Sequence, residues 1–269
     1  MIGIIGGSGL AKLVGLENVR REIMRTRWGQ PSSALSFGEL GGAPVVFMAR
    51  HGYGHTIAPQ DINYRANIAS LKQAGVSAII AVASVGGIRA DLPPGTLAVP
   101  DQLIDYTTGR AGTYYSGPDQ PVVHIDFTQP YDAGVRQRLI AAAATAGTAV
   151  VDGGCYGCTP GPRLETAAEI RRAERDGCDM VGMTGMPEAV LARELEVPYA
   201  ALTVVANWAA GKGDAVAAVP LETIGVVLEE AMKRVLAILA AAARDDAGPV
   251  FAGGGEDVPA RGLQRGRRR

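Results

Sequence analysis

Short β-branched apolar runs alternating with Ala-rich amphipathic segments constrain this chain more than any other feature. Ile2 to Ile5, Pro44 to Ala49, Ala78 to Ser84, Thr96 to Val99, Met180 to Gly182 and Tyr199 to Val205 read as strands, several of them apolar at every position. Between and after them, Tyr64 to Gln73, Ala133 to Ala146, Leu164 to Asp176, Met186 to Leu195 and Leu221 to Arg244 read as helices. A strand that is apolar on both faces must be covered on both. The alternation therefore predicts an α/β fold in which a mostly parallel or mixed sheet is covered by helices. Ala74-Gly75 closes the first helix and leads into Ala78-Ile79-Ile80-Ala81-Val82, a helix stop followed by a buried strand.

The chain has 269 residues, enough for one sizeable core. Apolar periodicity stops near Ala243, so residues 1–244 are expected to form one domain. Residues 245–269, rich in Gly and Arg, are expected to form a disordered tail. A formal net charge of −1, from 26 Lys+Arg and 27 Asp+Glu, gives no average field that would gather a polyanion or a membrane surface. Nucleic acid and membrane are therefore not expected partners, and the terminal Arg267-Arg268-Arg269 run reads as a solvated end. No stretch is long and apolar enough to span a bilayer, and Met1-Ile2-Gly3 opens without a basic region or cleavage site, so a cytoplasmic protein is expected. Three Cys cannot build a disulfide framework. Cys155-Tyr156-Gly157-Cys158 has CxxC spacing but no second ligand pair, and it reads as loop, so no metal site is expected.

Three Gly-rich or cationic segments follow strands. Gly6-Gly7-Ser8-Gly9 follows the first, where converging backbone N–H groups and a Ser hydroxyl suit an anion. Arg50-His51-Gly52-Tyr53-Gly54-His55 follows the second and offers a planar guanidinium fork with an adjacent His as a further donor. Ser84-Val85-Gly86-Gly87 follows the third. Open α/β sheets bind ligands at the carboxyl ends of strands, so the three predict a single anion pocket. Three later interruptions separate extended runs from helices: Gly161 to Thr166, Gly182 to Glu188, and Val204 to Trp208. Pro187 and Glu188 suit a first helical turn with Thr184 as its cap, and Met183 alone reads as core filling.

Taken together, Gly6-Gly7-Ser8-Gly9-Leu10, Arg50-His51-Gly52-x-x-His55 with Pro59 and Asn63 to Ile68, Gly161-Pro162-Arg163, and Gly182-Met183-Thr184-x-x-Pro187-Glu188 resemble the purine nucleoside phosphorylase superfamily. Within it they are most similar to the methylthioadenosine phosphorylase branch. The resemblance runs from the first residue to about Arg244. It implies a mixed twisted sheet forming a distorted barrel surrounded by helices, a homotrimer with sites near subunit contacts, and displacement of a purine from C1′ by inorganic phosphate. It implies no organic cofactor and no metal. By similarity Ser8, Arg50, His51, Ser84 and Thr184 fall where the family holds phosphate, and Met183 falls under the ribose. Ala83 stands where many relatives carry Thr, so one phosphate contact is either missing or replaced by Ser84.

The chain departs from that branch at the base site. Methylthioadenosine phosphorylases carry Asp-x-Asp where this chain has Asn207-Trp208-Ala209, and Leu164-Glu165-Thr166 resembles the Phe-Glu-Thr of 6-oxopurine phosphorylases. Asn207 can donate to the O6 of a 6-oxopurine and interact with N7, and Glu165 can accept the N1–H that hypoxanthine has and adenine lacks. At the 5′ end the His55 to Ile68 match is to the methylthio branch. Leu221, with Pro220 as the alternative position, is expected to supply the apolar lining that takes a methylthio group. The expected reaction is phosphorolysis of S-methyl-5′-thioinosine, with Asn207 and Glu165 as catalytic residues and Leu164, Met183, Trp208, Ala209, His55 and Leu221 as further substrate contacts. The alternatives are a phosphorylase of inosine and guanosine, a methylthioadenosine phosphorylase, a hydrolytic nucleosidase, and a non-catalytic nucleoside- or RNA-binding protein. The general acid is not assigned; Asp214 is a candidate that reads equally as part of a surface turn.

Overall fold

Which apolar runs lie side by side decides where the site can form. The computed structural model describes residues 1–118 and 122–245. The chain begins with β1 (Ile2–Gly6), β2 (Leu16–Glu22), β3 (Leu35–Leu40) and β4 (Ala43–Ala49), then α1 (Tyr64–Gln73), β5 (Ala78–Gly87), β6 (Leu97–Val99) and β7 (Gln102–Asp105). There follow α2 (Ala133–Thr145), β8 (Val151–Asp152), β9 (Cys155–Cys158), α3 (Ala167–Arg175), β10 (Met180–Gly182), α4 (Gly185–Glu194), β11 (Tyr199–Trp208) and α5 (Leu221–Arg244).

The strands form one mixed sheet in the order β2-β3-β4-β1-β5-β10-β9-β7, with β11 also on β5 and leading to β6 and β8. β1 runs parallel to both β4 and β5, with Ile2 opposite Val45 and Ala78, so these strands present their carboxyl ends together. β11 pairs in parallel with β5 along nearly its whole length. On the other edge of β5, β1 covers the start as far as Ala81, and antiparallel β10 covers only Gly86 and Gly87. Val82 to Val85 therefore have no strand partner on that edge, and the sheet is held open there.

Side-chain alternation explains the two-sided burial. Ile4, Val45, Phe47, Ile80 and Val82 pack with Leu139 of α2 and Leu228, Val235 and Ile238 of α5. Their neighbours Ile5, Val46, Met48, Ile79 and Ala81 pack on the opposite face with Ile68 and Leu71 of α1 and Leu191 of α4. A smaller cluster seats Ile170 and Ala173 of α3 on Val181 and Ala209.

Several expectations are corrected. The distorted barrel is not closed by strand pairing: among the described residues β2, β7 and β8 each pair with a single neighbour, so the sheet ends at free edges. Ser84 to Gly87 is strand, because β11 and β10 continue the ladder on β5. Cys155 to Cys158 is strand β9, flanked in parallel by β7 and β10. Leu164 to Thr166 are not helical. Thr166 caps α3 by accepting from the Glu169 N–H, and the Glu169 side chain accepts from the Thr166 N–H. The expected tail lies almost wholly outside the described residues. Among the described residues no helix is long and apolar enough to cross a membrane.

Candidate active site

The open edge of β5 is one wall of a cavity of about 420 Å³. Ala83, Ser84, Val85 and Gly86 supply that wall, and the segments leaving the neighbouring strands supply the rest. Ser8 comes from the exit of β1, Arg50, His51 and His55 from the exit of β4, and Met183 and Thr184 from the exit of β10. Leu164 and Glu165 come from the β9–α3 connection, and Asn207 and Ala209 from the end of β11. The structure thus brings eleven of the thirteen expected site residues to one cavity; Trp208 and Leu221 are the exceptions.

Arg50 is deeply buried at this site, at 1% exposure. Its Nε and Nη2 donate to the two oxygens of Glu188 at 2.5 and 3.0 Å, and Nη1 donates to Val82 O at 3.0 Å, in the unpaired stretch of β5. Burial disfavours the guanidinium charge, but the Glu188 carboxylate more than offsets this and the pKa is raised. Three of five guanidinium N–H groups are thereby used, and among the described residues one on each Nη is left without an acceptor. Gly7 lets the β1 exit approach this group: a Cβ there would meet Nη1 at 2.7 Å and Val82 O at 2.8 Å.

His51 departs from its expected role as a donor. Its Nδ1 lies 2.8 Å from Ile57 O, and a carbonyl only accepts, so the ring donates from Nδ1. Burial, then the nearby Arg50 charge, lowers its pKa to about 4. At neutral pH the ring is uncharged and Nε2 is an acceptor. The His55 ring lies 4.6 Å from that of His51, and its Nε2 is 3.5 Å from Ser8 Oγ. Thr184 occupies the cap position of α4 without using its side chain as a cap. The Ser84 hydroxyl has no hydrogen-bond partner among the described residues, while the Thr184 side chain interacts with the Tyr156 hydroxyl.

At the two residues expected to read the base, Glu165 Oε1 accepts from Thr159 Oγ1 at 2.6 Å. Asn207 sits at a register shift in β11 between Val205 and Asn207, a bulge that re-aims the strand end. Its Nδ2 donates to Trp208 O at 2.7 Å, which orients the amide and leaves one N–H and Oδ1 free. Trp208, the next residue along the strand, points to the other side. Its indole lies against Gly213, where a Cβ would come within 2.3 Å of Nε1. Leu221, the first residue of α5, is 64% exposed and does not line the cavity; in this part of the chain the lining residues are Val219, Ile224 and Leu228, the last two one helical turn apart. Asp214 is exposed and does not line the cavity.

Two contributors escaped the sequence reading. Glu188 reads as a first-turn helix charge, but it is fully buried, holds Arg50, and accepts from Tyr199 Oη at 2.9 Å. Arg110 lies in no motif, yet its Nη1 donates to Met183 O and Met186 O and its Nη2 to Pro160 O, joining the two loops that carry Met183 and Glu165. No local signal in the sequence marks either pairing.

The family model described as the phosphorylase superfamily matches residues 1–244. A probable S-methyl-5′-thioinosine phosphorylase of Pseudomonas syringae pv. tomato is 52% identical over 238 residues, spanning 88% of this chain and 96% of its own. The 6-oxopurine nucleoside phosphorylase of Pyrococcus furiosus is 46% identical over 215 residues, spanning 78% of this chain and 80% of its own. Among solved structures, methylthioadenosine phosphorylase from Schistosoma mansoni in complex with adenine aligns with a TM-score of 0.85 at 32% identity, covering 90% of each chain.

The buried ion pair yields a stability prediction. Glu188→Gln leaves the Arg50 charge buried without its counter-ion and should lower unfolding free energy by about 3–5 kcal/mol in a denaturant titration. A loss below about 1 kcal/mol, the range of an exposed pair, would show that the pair does not hold the site together.

Proposed function

The chain belongs to the phosphorylase superfamily and is a nucleoside phosphorylase, and from that premise we propose that it cleaves S-methyl-5′-thioinosine with phosphate, releasing hypoxanthine and 5-methylthioribose 1-phosphate. The observation that carries this choice is the pairing of the Glu165 carboxylate with the neutral Asn207 amide in one cavity whose further wall is Val219, Ile224 and Leu228.

Phosphate is received by the two free N–H groups of Arg50 and the hydroxyls of Ser8, Ser84 and Thr184. The monohydrogen dianion carries one O–H, and neutral His51 offers Nε2 to accept it. Departure of the base leaves oxocarbenium character at C1′, where the held dianion supplies both nucleophile and opposing charge. Met183 supports the sugar. On the leaving group, Glu165 accepts N1–H, the free Asn207 N–H donates to O6, and Asn207 Oδ1 accepts from a protonated N7. Adenine would set its bare N1 against the carboxylate and its amino group against the amide N–H. Two such mismatches cost about 1–3 kcal/mol each, a discrimination on the order of a hundredfold. Apolar side chains accept a methylthio group and leave a 5′-hydroxyl without a partner.

Phosphate is the co-substrate in this scheme, and neither an organic cofactor, a metal, nucleic acid nor a membrane enters it. A homotrimer with sites near subunit contacts and a cytoplasmic setting complete the proposal through the family resemblance. The test compares kcat/KM at saturating phosphate for S-methyl-5′-thioinosine, inosine, guanosine and S-methyl-5′-thioadenosine. The first should be highest and the last lower by on the order of a hundredfold. A higher value for inosine would overturn the 5′ assignment, and a higher value for the 6-aminopurine would overturn the base assignment. Asn207→Asp should move preference toward 6-aminopurines, more strongly when Glu165 is also replaced. Arg50→Ala should raise the KM for phosphate by about ten- to hundredfold.

A further inference from the structure

Glu165 is held from outside the cavity it lines. Thr159 stands on the wall of a second cavity of about 490 Å³, and Glu165 and Val181 are the residues common to both linings. The Thr159 hydroxyl lies 2.6 Å from Glu165 Oε1 and 3.3 Å from Gly182 O, so its one proton goes to the carboxylate. Its backbone N–H donates to Gly182 O at 2.8 Å, fixing Thr159 between the ends of β9 and β10. Among the described residues no second hydrogen bond reaches the Glu165 side chain. Nor is Glu165 occupied at the helix start, because Thr166 and Glu169 already form the cap of α3.

Resting on the reading above, we infer that Thr159 is the positioning residue that sets base selectivity: its hydroxyl takes Oε1 and leaves Oε2 to face the base as an acceptor. A Glu side chain has three rotatable bonds and, without this tether, would not present one oxygen at a fixed place. The preference is then directional. A base with N1–H gains from the tethered carboxylate, and a base with a bare N1 gains nothing from it. Thr159 does not line the cavity in which base and phosphate are placed, so its effect passes through Glu165.

The test uses the full chain at saturating phosphate, with Thr159→Val to remove the hydroxyl at nearly constant shape and Thr159→Ser to retain it. With Thr159→Val, kcat/KM for S-methyl-5′-thioinosine should fall about tenfold, mostly through KM, while that for S-methyl-5′-thioadenosine stays level. Thr159→Ser should restore the parent ratio. In a Glu165→Gln background, Thr159→Val should have no further effect on the ratio. Thr159→Ala serves as a second hydroxyl-free variant should the Val chain fail to fold. A parallel fall for both substrates, or an unchanged ratio in a folded hydroxyl-free variant, would overturn the inference while leaving the parent's oxopurine preference standing. A parent enzyme without that preference would overturn the substrate reading and this inference together.

Discussion

The unpaired stretch of β5 and the ion pair beside it are the arrangement on which the rest of the site depends. β1 leaves the edge of β5 at Ala81 and β10 joins it only at Gly86, so the backbone between them needs partners from elsewhere. Arg50 supplies one by donating to Val82 O. A guanidinium this deep is tolerable only beside a counter-charge, and Glu188 provides it from the start of α4, 138 residues away in sequence. The pair therefore ties α4 to the sheet and orients the remaining guanidinium N–H groups in the same gap. The helix start that brings Glu188 also carries Thr184, so the hydroxyl and the guanidinium are placed by one set of contacts.

Charge at this site is local. The chain is nearly neutral overall, and the charge on Arg50 is largely balanced by Glu188. What remains for an anion in the proposed scheme is directed donors: two guanidinium N–H groups and the hydroxyls of Ser8, Ser84 and Thr184. Neutral His51 adds an acceptor, suited to a phosphate that still carries a proton. The proposed recognition of the base uses a different contrast, a tethered carboxylate against an amide whose orientation is set by its own neighbour. Both depend on backbone devices: the Thr159 position between two strand ends, and the bulge before Asn207.

Much of this was legible in the sequence because most contributors sit at or just beyond the carboxyl ends of strands. Ser8, Arg50, His51 and Thr184 follow strand ends, Ser84 and Asn207 lie in the last residues of β5 and β11, and Glu165 lies in the β9–α3 connection; parallel pairing of β1 with β4 and β5 brings the first of these together. What was not legible depends on distant partners or on exposure. β2 reads Leu-Glu-Asn-Val-Arg-Arg-Glu and is largely exposed at the sheet edge, so it lacks the apolar signature of its neighbours. Glu188 carries the ordinary signature of a helix start, and only its contact with Arg50 distinguishes it. Trp208 and Leu221 were misplaced by one strand position and by one helical turn, because side-chain direction is set by the bulge in β11 and by where α5 begins.

The proposed role of this gap is to hold phosphate as the nucleophile against C1′. The most direct measurement is the release of hypoxanthine from S-methyl-5′-thioinosine as phosphate is varied from zero to saturation, with the sugar product identified. The account predicts release that saturates in phosphate, vanishes without it, and yields 5-methylthioribose 1-phosphate. Release at the same rate without phosphate, yielding free 5-methylthioribose, would contradict it.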